Sequence, residues 1–419
     1  MSVHAIGLAG LVIIFIIGTF RPINLGVLSM VMTFLIGTFV VRETPREMYS
    51  GFPVDLFVLL TGVTYLFGIA ARNGTVEWIV DESVGAARRR RSLIPWVVFG
   101  LAALPAMAGA LGSSGVALLA PLAMRVAERC EIDRRMVGLM VVHGAAAGNF
   151  SPLNVLGAIV HQAVTSRGLE MSVWTLFGGN LAYNLVLGAI IVAVFGGRRR
   201  RTAQRSSDSD AASVGTKHTR RSLSIDQMCT LAALAAVAIV SLGFGLSIGF
   251  VAFAAAAVLH LAFPKSSAGA EKLVAWSVVL LVCGVVMYVN ALQRYGTVTA
   301  VGAGIASLGT PLVVALLLCA VGAVTSAFAS SAGILGAMIP LAAPFMAQGT
   351  IGTTGMVTAL ALSATVVDAT PFSTVGALVV ANASDDERQV VYRGLLAWGA
   401  VMVVTAPVVT WLLFILPAA

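Results

Sequence analysis

Residues 150–160 read FSPLNVLGAIV and residues 369–379 read ATPFSTVGALV, so Pro152 falls opposite Pro371 and Gly157-Ala158 opposite Gly376-Ala377. PLA triplets at Pro121 and Pro340 precede those prolines by 31 residues in both cases, and a GTV triplet recurs at Gly74 and Gly296. One triplet would recur by chance in any chain rich in Gly and Ala, whereas three in register mark an internal repeat.

Each repeated stretch sets a proline inside an otherwise apolar run. In a bilayer, backbone that leaves the helix must line a cavity or be buried in protein, because every unsatisfied polar group is strongly unfavourable there. Proline interrupts a helix interior but suits its first position, and Ser or Thr just before it is a preferred N-cap. Ser151-Pro152 and Thr370-Pro371 therefore predict helices that stop and restart at membrane depth, with Pro152 and Pro371 at the breaks.

The rest of the chain supplies the membrane. Of 419 residues, 58% are hydrophobic and 11% charged, with a mean hydropathy of +0.96. That composition excludes a soluble globular domain and leaves no room for a soluble catalytic one. Stretches approaching the roughly 20 residues a span needs lie at 4–20, 24–41, 53–72, 136–166 (broken) and 174–196, and again at 227–243, 245–262, 273–292, 354–382 (broken) and 394–416. Two more, about 94–128 and 308–347, carry small polar tips, GSSG at 112–115 and SSAG at 330–333, and read as re-entrant hairpins. The predicted fold is an all-α polytopic membrane protein of about ten transmembrane helices plus two re-entrant hairpins. Its two repeats, 1–197 and 227–419, flank a Ser-rich basic linker at 198–226. An odd number of spans per repeat inverts the second relative to the first, as in many secondary transporters.

Charge placement orients this arrangement. The net charge of +8 is clustered beside apolar helices, which reads as a topology signal and not as a nucleic-acid footprint. With the linker cytoplasmic, alternation puts 22 of the 26 Lys and Arg on the cytoplasmic side. Letting both hairpins span would move the Arg125 to Arg135 cluster outside, so the re-entrant reading fits better. This predicts a multi-pass protein of the inner (plasma) membrane with both termini outside. The first apolar stretch has no Lys or Arg before it and Arg21 after it, so it reads as a retained span and not a signal peptide. Cys130, Cys229, Cys283 and Cys319 are isolated, without metal-ligand spacing, and read as packing residues. No cofactor is expected beyond a coupling ion, Na+ or H+.

A restarted helix presents unpaired N–H groups and about half a positive charge at its N-terminus, which holds a carboxylate without Lys or Arg. The candidate substrate-binding residues are Asn149, Ser151 and Asn154 at the first break, and Thr370, Ser373 and Thr374 at the second. Ser113, Ser114, Ser330 and Ser331 join them from the hairpin tips. Two such sites about a pseudo-twofold match a small anion with a carboxylate at each end. Asp368 is the one carboxylate deep in a predicted span, where insertion costs roughly 2.5 to 3.5 kcal/mol. A role in carrying a proton or ligating Na+ is the functional reading, and capping the restarted helix is the plainer one. Its repeat partner Asn149 coordinates a cation but cannot titrate. His143 admits three roles: proton relay, ligand contact, or hydrogen-bonded packing. His161, His260 and Asp55 lie near span ends and read as interfacial.

Residues 1–39 (MSVHAIGLAGLVIIFIIGTFRPINLGVLSMVMTFLIGTF), 51–80 (GFPVDLFVLLTGVTYLFGIAARNGTVEWIV), IPW at 94–96 and HGAAAGNFSPLNVLG at 143–157 resemble the MatC-type malonate and dicarboxylate carriers. The resemblance covers about the first 165 residues. More broadly, two hairpins with two broken helices resemble the divalent-anion:sodium symporters of the ion transporter superfamily. That resemblance implies a homodimer, elevator-type movement of a transport part against a scaffold, and cation sites where hairpin tips meet broken helices. Those symporters carry Ser-Asn-Thr at the tips, whereas this chain has Ser113-Ser114-Gly115 and Ser330-Ser331-Ala332. Their Thr-Pro-Pro-Asn break stands here as Ser151-Pro152-Leu153-Asn154 and Thr370-Pro371-Phe372-Ser373, so the two sites are expected to differ.

Rival functions are a carrier of another organic or inorganic anion and, from a different class, an intramembrane serine protease. Gly112-Ser113-Ser114-Gly115 satisfies GxSG, with His143 on another helix. The serine pair recurs at 330 and 331 without a matching histidine, which argues against the protease. Gly245-Leu246-Ser247-Ile248-Gly249 satisfies GxSxG but lacks the strand a nucleophile elbow needs. A channel would show a ring of like charges or a carbonyl filter, and neither pattern is present.

Overall fold

The computed structural model describes residues 2–21, 23–76, 78, 79, 82, 91–110, 112–196, 223–297, 300, 311–327, 331–347, 349 and 351–418. Residues 198–222 of the linker, Arg88–Arg90 and Ser330 lie outside the described residues. Every regular element among the described residues is helical, as an all-α membrane fold requires. The longer helices of the first half are α1 (Val3–Phe20), α2 (Leu25–Ile36), α3 (Val54–Arg72), α4 (Ile94–Met107), α5 (Gly112–Arg129), α6 (Arg134–Gly148), α7 (Val155–Thr165) and α8 (Val173–Gly196). The second half supplies α9 (Ile225–Phe244), α10 (Ile248–Ala262), α11 (Trp276–Arg294), α12 (Pro311–Ser326), α13 (Ser331–Ala347), α14 (Thr353–Thr365), α15 (Thr374–Ala381) and α16 (Asp385–Thr410). Five described helical stretches are long and apolar enough to cross a membrane, the joined α14–α15 segment among them, and the remaining apolar helices are shorter.

Packing between the halves is reciprocal. α2 lies against α11 and α10 against α3, while α5 lies against α15 and α13 against α7. Reciprocal pairs of this kind are what a twofold relation between two copies of one unit produces. The crossings are built from glycines at matching positions. A Cβ on Gly26 would meet the Leu280 carbonyl oxygen at 1.9 Å, and one on Gly284 would meet the Gly26 carbonyl at 2.1 Å. In the other pair, Gly62 faces the Gly249 carbonyl at 2.3 Å and Gly249 faces the Leu59 backbone at 2.7 Å. Small residues let helix backbones approach this closely in a membrane. Gly245–Gly249 is thus a helix-helix turn followed by a packing glycine, with no strand before it.

The GTV triplets close turns after α3 and α11, where Gly74 and Gly296 take φ of +77° and +72°, a region glycine enters without strain. Beside them, Asn73 donates to Thr230 on α9 at 2.7 Å, and His4 on α1 pairs with Thr297 at 3.3 Å. Each turn therefore touches the first helix of the opposite half.

Two local features differ from expectation. The polar quartet at 112–115 is not a turn but the first turn of α5, and Ser331 likewise begins α13. Hydroxyl and glycine residues sit well where helical N–H groups lack partners. Second, neither Ser151 nor Thr370 caps its restarted helix. The caps are Asn154, accepting from Leu156 N at 2.8 Å, and Ser373, accepting from Gly376 N at 3.0 Å, so each proline stands inside a short non-helical stretch.

Candidate functional site

The two breaks and the first turns of α5 and α13 meet around one cavity of about 390 Å³. Gly112 and Ser113 of α5, Leu156 of α7, Ser331 and Ala332 of α13, and Thr374 and Val375 of α15 line it, with Asn149, Asp368 and Phe372 from the breaks. Asn24 and Leu25 at the start of α2 and Ser277 and Val278 at the start of α11 also line it, with Val142, Ala145 and Ala146 of the C-terminal half of α6. Each of the six helices other than α6 presents its N-terminal turn to the cavity. Each such end carries unpaired N–H groups and about half a positive charge. No Lys or Arg is among the lining residues.

One carboxylate opposes that positive potential. Asp368 belongs to a 3-10 turn, Val366–Ala369, that continues α14 to the second break. Its Oδ2 accepts a hydrogen bond from Ser331 Oγ at 2.7 Å, and Ser326 Oγ donates to Ser331 Oγ at 3.1 Å. At the equivalent place in the first half, Asn149 is buried and its Oδ1 has no hydrogen-bond partner. An orphaned buried acceptor facing a cavity is a ready contact for a cation or a donor group.

The structure separates the predicted site residues into two groups. Ser113, Asn149, Ser331, Asp368 and Thr374 line the cavity. Ser151, Asn154, Thr370 and Ser373 instead hold the breaks to neighbouring backbone. Ser151 Oγ donates to Met107 O at 2.5 Å, and Asn154 Nδ2 donates to Ala106 O at 2.7 Å. Thr370 Oγ1 donates to Ala327 O at 2.7 Å, while Ser373 Oγ donates to the Asp368 carbonyl. These four satisfy carbonyls that a broken helix and a turn leave without partners. Ser330 and the Ser114 side chain lie outside the described residues.

Three residues outside the predicted set shape the site. Asn180 Nδ2 donates to the carbonyls of Ala146 at 2.8 Å, Ala147 at 3.2 Å and Asn149 at 3.0 Å, closing the C-terminal end of α6. Asn184, one turn along α8, donates to Asn180 O at 3.0 Å. Trp398 Nε1 donates to His143 Nε2 at 2.8 Å, so the His143 proton resides on Nδ1, which donates to Asn184 Oδ1 at 3.0 Å. His143 is therefore a fully bonded link between α6, α8 and α16. Both of its ring nitrogens are committed, leaving none to activate Ser114, the serine of GxSG, in a protease dyad. The signal was in the sequence: two Asn at i and i+4 in an apolar helix put their amides on one face. Asn180→Leu should leave three carbonyls without this donor and lower the unfolding free energy by about 1 to 3 kcal/mol. Thermal unfolding in detergent checks it, and wild-type stability would show that the amide is dispensable.

Residues 1–149 match the family model described as the N-terminus of the dicarboxylate carrier protein MatC, so the resemblance holds over that part of the chain. Among solved structures, the chain is similar to the Alcanivorax borkumensis YdaH transporter. The TM-score is 0.60 at 14% identity, over 90% of this chain and 88% of that one, a likeness that establishes the fold. No curated protein matches the chain. The protein is a multi-pass helical membrane protein with a transporter fold.

Proposed function

We propose that this protein is a secondary active carrier of a small dicarboxylate, malonate or a C4 acid, coupled to Na+ or H+. The observation that supports this reading best is the convergence of six helix N-termini on one cavity whose described lining residues include a carboxylate and no basic side chain. Helix N-termini bind anions through backbone N–H groups and dipole together. A volume of about 390 Å³ accommodates a three- or four-carbon diacid with a cation. Asp368 repels a dianion until a cation or proton neutralises it, which ties binding of one to the other. Asn149 Oδ1 and Asp368 are the ligands offered to that cation, and movement of α4–α7 and α12–α15 against α2, α3, α10 and α11 is the proposed route of alternating access.

Uptake of radiolabelled malonate and succinate into proteoliposomes, with Na+ and pH gradients imposed separately, tests the proposal. Saturable uptake driven by either gradient is expected. No uptake of either acid under any gradient would redirect the search to other anions. Within the site, Thr370→Val and Ser151→Ala are expected to lower thermal stability by about 1 kcal/mol each with KM unchanged, whereas Ser331→Ala is expected to raise KM. An equal KM shift in all three would contradict the division into cavity and break-holding hydroxyls. The proposed orientation puts position 210 in the cytoplasm: Asp210→Cys is expected to react with an impermeant maleimide only in inside-out vesicles, and labelling of intact cells would invert the topology.

A further inference from the structure

The interface that forms the cavity continues beyond it. α7, α11 and α13 each run from the cavity to a second pocket of about 30 Å³, where Gln162, Asn290 and Pro340 stand in place of Leu156, Ser277 and Ser331. Ser277 and Asn290 are separated by about 20 Å of helix. The small pocket has room for water and none for a diacid. One interface thus has an open end and a closed one.

Arg167, just past the end of α7, lines the closed end. Its Nη1 donates to Ala163 O at 2.8 Å and to Ser166 Oγ at 3.0 Å. Nε and Nη2 are buried without any hydrogen-bond partner. Those two nitrogens form the edge of a guanidinium that grips both oxygens of a carboxylate. Two other described arginines use that edge on a carboxylate. Arg135 sets Nε and Nη2 on Asp133 at 3.1 and 2.7 Å, and Arg294 sets them on Glu43 at 2.9 and 3.3 Å. In Arg167 the same edge is charged, buried and empty, an arrangement unfavourable enough to call for a partner. Gln162 Oε1 beside it also lacks a partner, and its amide can turn a donor toward an anion.

We propose that Arg167 is a second anion site, the receiving group at the opposite entrance. When that end of the interface opens, one carboxylate of the transported anion docks on Nε and Nη2 before passing to the helix N-termini of the main cavity. The assignment rests on the carrier reading above.

The test is malonate and succinate KM measured separately from each face of unidirectionally reconstituted protein, for wild type, Arg167→Gln and Arg167→Lys. Arg167→Gln is expected to raise KM at one face by about ten- to a hundredfold, with the other face and the maximal rate unaffected. Arg167→Lys, which keeps the charge and loses the fork, is expected to fall between. Unchanged KM at both faces overturns the proposal, as does an equal loss at both faces, the mark of a purely structural arginine. Phenylglyoxal modification of the wild-type protein gives a second readout should the glutamine variant fail to insert: malonate is expected to protect Arg167 from that face, and absence of protection overturns the site. Failure of the wild-type protein to transport either acid would instead remove the carrier reading, and the site with it.

Discussion

Asp368→Asn is expected to abolish gradient-driven uptake while leaving the protein inserted and monodisperse. The asparagine keeps the size of the side chain and an oxygen that can still accept from Ser331 Oγ, so packing around the 3-10 turn survives. What disappears is the charge. Two like charges 4 Å apart at an effective dielectric of 20 repel by about 4 kcal/mol, which corresponds to roughly a thousandfold in binding. In the wild type that repulsion makes the dianion wait for a cation. In the variant the six helix N-termini bind it without one, so substrate exchange should persist while Na+ or H+ gradients lose their effect. Counterflow measured beside gradient-driven uptake separates these outcomes. Wild-type concentrative uptake by Asp368→Asn would remove Asp368 from the mechanism.

Gly26→Ala is expected to be nearly as damaging, through stability and not through chemistry. The added methyl would lie 1.9 Å from the Leu280 carbonyl and 2.5 Å from the Leu281 Cα, both backbone atoms that no rotamer change can move. α2 and α11 must then separate, and overpacking of this kind typically costs about 1 to 3 kcal/mol or more. These helices also carry Asn24 and Ser277, joined by a 2.7 Å hydrogen bond from Asn24 Nδ2 to Ser277 O at the cavity wall. The expected result is a lower melting temperature in detergent together with raised KM. Gly100→Ala, where an added Cβ meets nothing within 4 Å, serves as the control and should behave as wild type. Equal stability of the two variants would show that the close crossing is not needed.

Much of this molecule is legible in local chemistry. Apolar run lengths set the helices, and Pro152 and Pro371 mark the interruptions because a ring without an N–H cannot continue a helix. The short helix Pro45–Ser50 escaped that reading because it is polar and a single turn and a half long, although Thr44 and Glu47 spell a capping box. The repeat, too, is carried by spacing alone, and the crosswise glycine contacts of Gly26, Gly62, Gly249 and Gly284 are its counterpart in space.

What spacing does not carry is the direction of a hydroxyl. Ser151 and Ser331 have the same chemistry, yet Ser151 ends on the Met107 carbonyl and Ser331 on Asp368 at the cavity wall. The choice depends on which backbone arrives beside each one, and for Asn154 that backbone is 44 to 48 residues away. The sequence by itself determined a membrane-embedded, twice-repeated helical chain with two broken helices and one buried carboxylate, because run length, proline and charge act within a few residues. Only the tertiary structure decided that six helix N-termini share one cavity, that Asn180 and His143 brace it, and that Arg167 holds an empty fork at the far end of the same interface. Those are properties of contacts between distant segments, where packing, and not propensity, selects the partner.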